Sequence, residues 1–166
     1  LVSLIVHSKT ELAWTKRLYQ GLEKAARAFD VTIVGGETSR TRGPAVISVS
    51  VTGFVEKGRW VTRNGGKPKD ELFVTGRLGG SLRGKHLKFT PRIKEARWLT
   101  ENFSIHAMLD LSDGLGADLP RLAEASKLGF EIDEKAVPRE RGCSLIDALT
   151  NGEDYELLFA VAARVS

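Results

Sequence analysis

Apolar residues in this chain come in short runs separated by polar, glycine-rich stretches, and the spacing within the runs switches repeatedly between strand-like and helix-like. Residues 1–7 read as a strand. Ser8-Lys9-Thr10-Glu11 has the S-x-x-E form of a capping box, and Leu18, Leu22, Ala25 and Phe29 follow at helical spacing beside Trp14 and Tyr19, which predicts a helix to about Phe29. Residues 31–34 form a second predicted strand that runs into Gly35-Gly36-Glu37-Thr38. Ile47, Val49 and Val51 alternate with Ser48, Ser50 and Thr52, the pattern of a half-buried strand. After a turn at 56–59, residues 60–62 and 72–75 read as short strands.

Pro91-Arg92-Ile93 opens a helix whose buried stripe is Ile93, Ala96, Leu99 and Phe103, and whose position suggests that it bridges two domains. Residues 106–111 are a strand. Leu115, Leu119, Leu122 and Ala123 mark the helix that follows, with Pro120 expected in its first turn. A short strand at 130–132, a loop at 138–142 and a short helix at 145–149 complete the pattern. The fold class is α/β (α+β), in mixed sheets covered by helices. Residues 1–85 are assigned to a first domain, 86–105 to a linking helix and 106–166 to the first part of a second domain.

Composition narrows the class. The 166 residues are 42% hydrophobic and 28% charged, values of a globular protein long enough to bury a core. A formal net charge of +4 suits anionic ligands such as nucleotides without demanding nucleic acid. The single cysteine, Cys143, excludes an internal disulfide framework and a thiolate zinc site, which fits a reducing cytoplasm. His7, His86 and His106 lack metal-ligand spacing, and the apolar opening is too short for a membrane span. The chain begins without methionine and stops soon after a strand-like run, so it reads as a piece of something longer.

Candidate chemistry gathers where predicted strands end. In Met108-Leu109-Asp110-Leu111-Ser112-Asp113-Gly114, two carboxylates three positions apart leave a strand, the usual location of a site on an open α/β sheet. Gly35-Gly36-Glu37 reads either as a hairpin turn with a solvated glutamate or as a close backbone approach to a ligand with a carboxylate for a hard cation. Arg63, in a basic glycine-rich loop, is suited to gripping phosphate, or is simply solvated. Glu153, Asp154 and Glu156 crowd three acids into four positions, which calls for a cation, a cationic ligand or water. The glycine-rich basic segment 76–85 has neither the P-loop nor the G-x-G-x-x-G form.

Five strings, in order and at approximately the family's spacing, resemble thiamine-monophosphate kinase: Gly35-Gly36-Glu37-Thr38, Val61-Thr62-Arg63-Asn64-Gly65-Gly66-Lys67-Pro68-Lys69-Asp70, Val74-Thr75-Gly76-Arg77-Leu78-Gly79, Asp110-Leu111-Ser112-Asp113-Gly114-Leu115 and Gly152-Glu153-Asp154-Tyr155-Glu156-Leu157. The resemblance implies a PurM-like, two-domain architecture in which the first domain forms a barrel across a homodimer with ATP near the interface. It further implies transfer of the γ-phosphoryl group of ATP to thiamine monophosphate, assisted by Mg²⁺. By the same resemblance, Asp110 and Asp113 are magnesium ligands at the catalytic centre and Ser112 contacts the nucleotide phosphates. Glu37 stands at a metal- and ATP-binding position beside Gly36, Arg63 and Tyr19 match ATP contacts, and Glu153 matches an acid that faces the substrate. No membrane or nucleic-acid partner is implied.

The sequence departs from that family in places. Glu37 replaces the usual aspartate, Gly79-Gly80 replaces Gly-Asp, and the family's N-terminal Gly-Asp-Asp segment and the later part of its second domain do not occur in these residues. Both domains are therefore expected to be incomplete and the 166 residues alone to have little or no kinase activity. The competing readings are a sister enzyme of the aminoimidazole ribonucleotide synthetase, selenophosphate synthetase or HypE kind, and a non-catalytic dimerisation or nucleotide-binding module.

Overall fold

A computed structural model describes residues 1–163. The chain divides into two compact units, Leu1–Phe54 and Val55–Ser166.

In the first unit, strand β1 (Val2–His7) is the middle of a three-stranded sheet. Helix α1 (Leu12–Ala28) leads to β2 (Gly36–Thr41), which pairs with β1 in parallel, and β3 (Val46–Val49) pairs with β1 antiparallel. A helix between parallel neighbours is the ordinary way to carry the chain back to the start of the next strand. Val2, Leu4 and Val6 form the buried face of β1, as period-two alternation requires. The half-buried positions of α1 include Trp14, Leu18 and Leu22, which lie on one stripe.

Several expectations fail in this unit. The box at Ser8-Lys9-Thr10-Glu11 does not form: Glu11 is the N-cap without a side-chain cap, and the preceding turn is closed by Thr10 N donating to His7 O at 2.8 Å. Residues 31–34 are not a strand. They follow the end of α1, where Asp30 takes a left-handed conformation (φ 53°) and Val31 N bonds back to Ala26 O. The strand starts at Gly36 because only glycine fits there: a Cβ would stand 1.8 Å from Val2 O. Gly36→Ala is therefore expected to destabilise this unit by about 2 kcal/mol or more, as overpacking does, and urea unfolding that leaves the midpoint unchanged would contradict this. β3 is found, but its apolar face is exposed (Ile47 45%, Val49 53%) rather than half-buried.

The second unit is built on an antiparallel sheet of order β4-β6-β5, formed by β4 (Asp70–Val74), β5 (Ile105–Asp110) and β6 (Leu157–Ala162). Two 3-10 turns (Ser81–Arg83, Lys85–Leu87) and helix α2 (Ile93–Asn102) precede β5, and α3 (Leu115–Ala125) and α4 (Leu145–Thr150) follow it. Leu78, Leu109, Leu111, Leu115, Leu119 and Leu158 are central members of the core. The hydrogen-bonding of β4 to β6 places residues 70–74 with this unit, and α2 lies within it as well.

Residues 60–62 and 130–132 form no strand; the first contributes only Thr62 O, which accepts from Met108 N at 3.1 Å. Pro120 lies in the second turn of α3, and the helix continues through it. The carbonyl that its missing N–H would have served belongs to exposed Gly116, where water can take the bond. α4 carries a true capping box, Ser144 with Asp147. Ser144 backbone and side-chain hydrogen bonds hold the Asp147 carboxyl below its ordinary value.

Candidate functional site

Asp110 is the last residue of β5, and four residues connect it to α3. In this loop Leu111 is fully buried and anchors the turn, while Asp110 and Asp113 are exposed. Buried Asp118, one turn into α3, reaches back and accepts from Ser112 N at 3.0 Å and Asp113 N at 2.9 Å. A carboxylate near a helix N-terminus is electrostatically favoured, so the clamp is stabilised twice. Arg121, three residues on, donates to Asp118 Oδ1 at 2.7 Å and to Asp113 Oδ2. The Asp113 hydrogen bond, then that of Asp118, raises the Arg121 pKa. Asp113 keeps Oδ1 without a protein donor among the described residues, and the Asp110 carboxylate accepts no hydrogen bond among them.

The segment 152–156 is laced to this loop. Glu153 N donates to Ser112 O and Tyr155 N to Leu111 O, each at 2.8 Å, and Leu111 N donates to Glu156 O at 2.8 Å. Glu153 (φ 64°) and Tyr155 (φ 50°) both take left-handed conformations, uncommon for side chains of this size. Asp154 and Glu156 turn inward, each 1% exposed. Asp154 accepts from Ser81 Oγ at 2.7 Å and Gly79 N at 3.0 Å. Glu156 accepts from Arg92 Nε at 2.6 Å and Nη2 at 2.7 Å, from Lys85 Nζ at 2.8 Å and from Thr75 Oγ1 at 2.7 Å. Burial alone pushes the Glu156 carboxyl up, but hydrogen bonds from Arg92, Lys85 and Thr75 outweigh it and hold the group down at about 2. Glu156 in turn raises the Arg92 pKa.

Two of the three crowded acids are thus satisfied by the protein itself, and only Glu153 stays exposed. Its Oε2 accepts from the Tyr155 hydroxyl at 2.6 Å, and the Tyr155 ring stacks on Phe89 with centroids 4.3 Å apart. The bond to Glu153 and burial raise the phenol pKa, and the charges of Glu153, Asp110 and Asp113 add to this. Asp110, Ser112, Asp113 and Glu153 therefore share one neighbourhood.

Arg63 does not share it. Its carbonyl accepts from Ser126 Oγ at 2.9 Å, just past the far end of α3, about 16 Å of helix away from the loop at Asp113. In the first unit, Tyr19, Gly36 and Glu37 line one cavity of about 350 Å³ with Ile33, Val34, Gly35 and Thr38. The larger cavity of the second unit, about 960 Å³, is lined by such residues as Leu72, Leu119, Leu122 and Leu158 and by none of the candidate acids.

Among the described residues no group of three or more His, Cys, Asp or Glu side chains is placed to hold a metal ion. Asp110 and Asp113 nevertheless suit Mg²⁺, which takes one or two carboxylates and completes its octahedron with water and phosphate oxygens. Asp118, Arg121 and Tyr155 were not singled out by sequence reasoning. The i, i+3 spacing of Asp118 and Arg121 at a helix start was the available signal for the first two.

The chain belongs to a known class, the AIR synthase related proteins, whose N-terminal domain matches residues 1–55 and whose C-terminal domain matches residues 49–165. Within that class it is similar to thiamine-monophosphate kinases. That of Rhodopirellula baltica is 37% identical over 172 residues, covering 98% of this chain and 54% of the relative, and that of Bacillus subtilis is 33% identical over 190 residues, covering 98% and 58%. The solved structure of AaThiL complexed with AMPPCP and TMP superposes with a TM-score of 0.83 at 27% identity, covering 98% of this chain and 60% of that one. The chain spans little more than half the length of the curated relatives it matches. No helix among the described residues is long and apolar enough to cross a membrane.

Proposed function

We propose that this chain is part of an enzyme that phosphorylates thiamine monophosphate to thiamine diphosphate with ATP and Mg²⁺, acting in the cytoplasm as a homodimer. The observation that carries the reading is the lacing of residues 153–155 onto 111–112, which holds Glu153 beside the Asp110–Asp113 loop. Similarity to thiamine-monophosphate kinases along nearly the whole chain, and to AaThiL complexed with AMPPCP and TMP, supports it.

The roles follow from residue chemistry. Asp110 and Asp113 would hold magnesium, which when bound neutralises and aligns phosphate oxygens. Asp118 keeps the loop in the shape that presents both carboxylates, and Arg121 fixes the Asp113 rotamer while leaving Oδ1 open. Ser112, whose hydroxyl donates to no acceptor among the described residues, supplies a donor for a nucleotide phosphate. Glu153 faces the cationic thiazolium of the acceptor. Tyr19, Gly36 and Glu37 contribute the nucleotide surface of the first unit, with Glu37 as its metal-facing carboxylate.

The test is calorimetric. For the protein at the full length of its relatives, ATP binding is expected to tighten at least about tenfold when Mg²⁺ is added, and thiamine monophosphate to be consumed one for one with ATP. Magnesium-independent ATP binding without turnover would favour a non-catalytic module and defeat the proposal.

A further inference from the structure

Resting on the reading above, we propose that Tyr155 is a positioning residue for the substrate-facing acid Glu153, and that the Tyr155–Phe89 pair forms the floor on which the organic cation of the acceptor is received. Three independent features support this. First, residues 153 and 155 both adopt left-handed backbone conformations, a strain that persists only where the surroundings enforce it and that clusters at functional sites. The enforcement is visible: Glu153 N and Tyr155 N are bonded to the 111–112 loop, and Asp154 between them is buried on Gly79 N and Ser81 Oγ. This backbone sends Asp154 and Glu156 into the protein and leaves Glu153 and Tyr155 outside together.

Second, the Tyr155 hydroxyl donates to Glu153 Oε2 at 2.6 Å, a short, charge-assisted bond. An exposed glutamate otherwise samples many rotamers, and ordering it would weaken ligand binding. Tyr155 removes that cost beforehand. Third, the ring is itself immobilised by stacking on Phe89 at an interplanar angle of 21°. An aromatic surface beside a fixed carboxylate attracts a flat cation through both the ring quadrupole and the charge. A bare metal ion has no use for such a surface.

The experiment uses the full-length enzyme with Tyr155→Phe, Glu153→Gln and the double variant. Tyr155→Phe keeps the stack and removes only the hydroxyl. It is expected to raise KM for thiamine monophosphate about 5- to 10-fold, with kcat and KM for ATP within about twofold of the parent. In the Glu153→Gln background the same change is expected to have little further effect, because the two act as a unit. An unchanged acceptor KM, a loss confined to kcat, or additive effects in the double variant would overturn the inference while leaving the kinase reading in place. A parent enzyme that ignores thiamine monophosphate altogether would sink both, a result distinguishable before any variant is made.

Discussion

Replacing Glu156 by alanine is expected to cost about 3 kcal/mol of stability and to loosen the second unit as a whole. The carboxylate is 1% exposed and is the common acceptor for Arg92, Lys85 and Thr75, so its removal strands two cations and a hydroxyl at once. Lys85 and Arg92 are themselves partly exposed, and water reaching them keeps the loss at the lower end of what breaking a buried pair costs. A Cβ on Gly76 would stand 2.5 Å from the Glu156 carboxyl, which shows how closely the backbone has been fitted around this group.

The pH dependence has a definite sign. With its folded pKa at about 2 against an ordinary 4.5, Glu156 contributes fully above pH 4.5, and the contribution is lost as pH falls towards 2. Urea unfolding of the parent and of Glu156→Gln should therefore differ most near neutrality and converge in acid. Equal stabilities at pH 7 would contradict this account.

Asp113→Asn, in the full-length enzyme, is expected to lower turnover of ATP and thiamine monophosphate at least about tenfold. The substitution keeps the size of the side chain and the clamp from Asp118, because that clamp uses the backbone N–H of residue 113. What changes is the charge, which is lost both to a divalent cation and to Arg121. The Mg²⁺ concentration giving half-maximal rate should rise with the loss. Unchanged kcat and an unchanged magnesium requirement would remove Asp113 from the mechanism.

Parts of this fold and site could be read from the chain directly, for physical reasons visible in particular residues. The β5–loop–α3 passage is legible because an apolar run ends in carboxylates and a glycine, and local signals suffice. β2 was displaced because its residues Glu37 to Thr41 are polar; what places them in a strand is β1 alongside, and the nearby apolar residues 31–34 have no strand to bond with. Residues 60–62 and 130–132 misled for the same reason: apolar content without a neighbouring ladder. The inward acids were legible as a problem but not as a solution, since the partners of Glu156 lie 64, 71 and 81 residues away along the chain. Tyr155 was hidden by a backbone conformation that its sequence neighbours do not announce.

The strand order β4-β6-β5 governs how the second unit can come into being during synthesis. Chains emerge amino end first, and neither β4 nor β5 pairs with the other; both wait for β6. Of these three strands, the one made after the other two is the one between them. While the ribosome is still adding residues beyond Ile105, β4 and β5 lack the strand that joins them, and Lys85 and Arg92 lack the Glu156 carboxylate that later receives both. A nascent chain halted before Leu157 would carry every candidate acid from Asp110 to Glu153 and still lack the sheet that gives them an address.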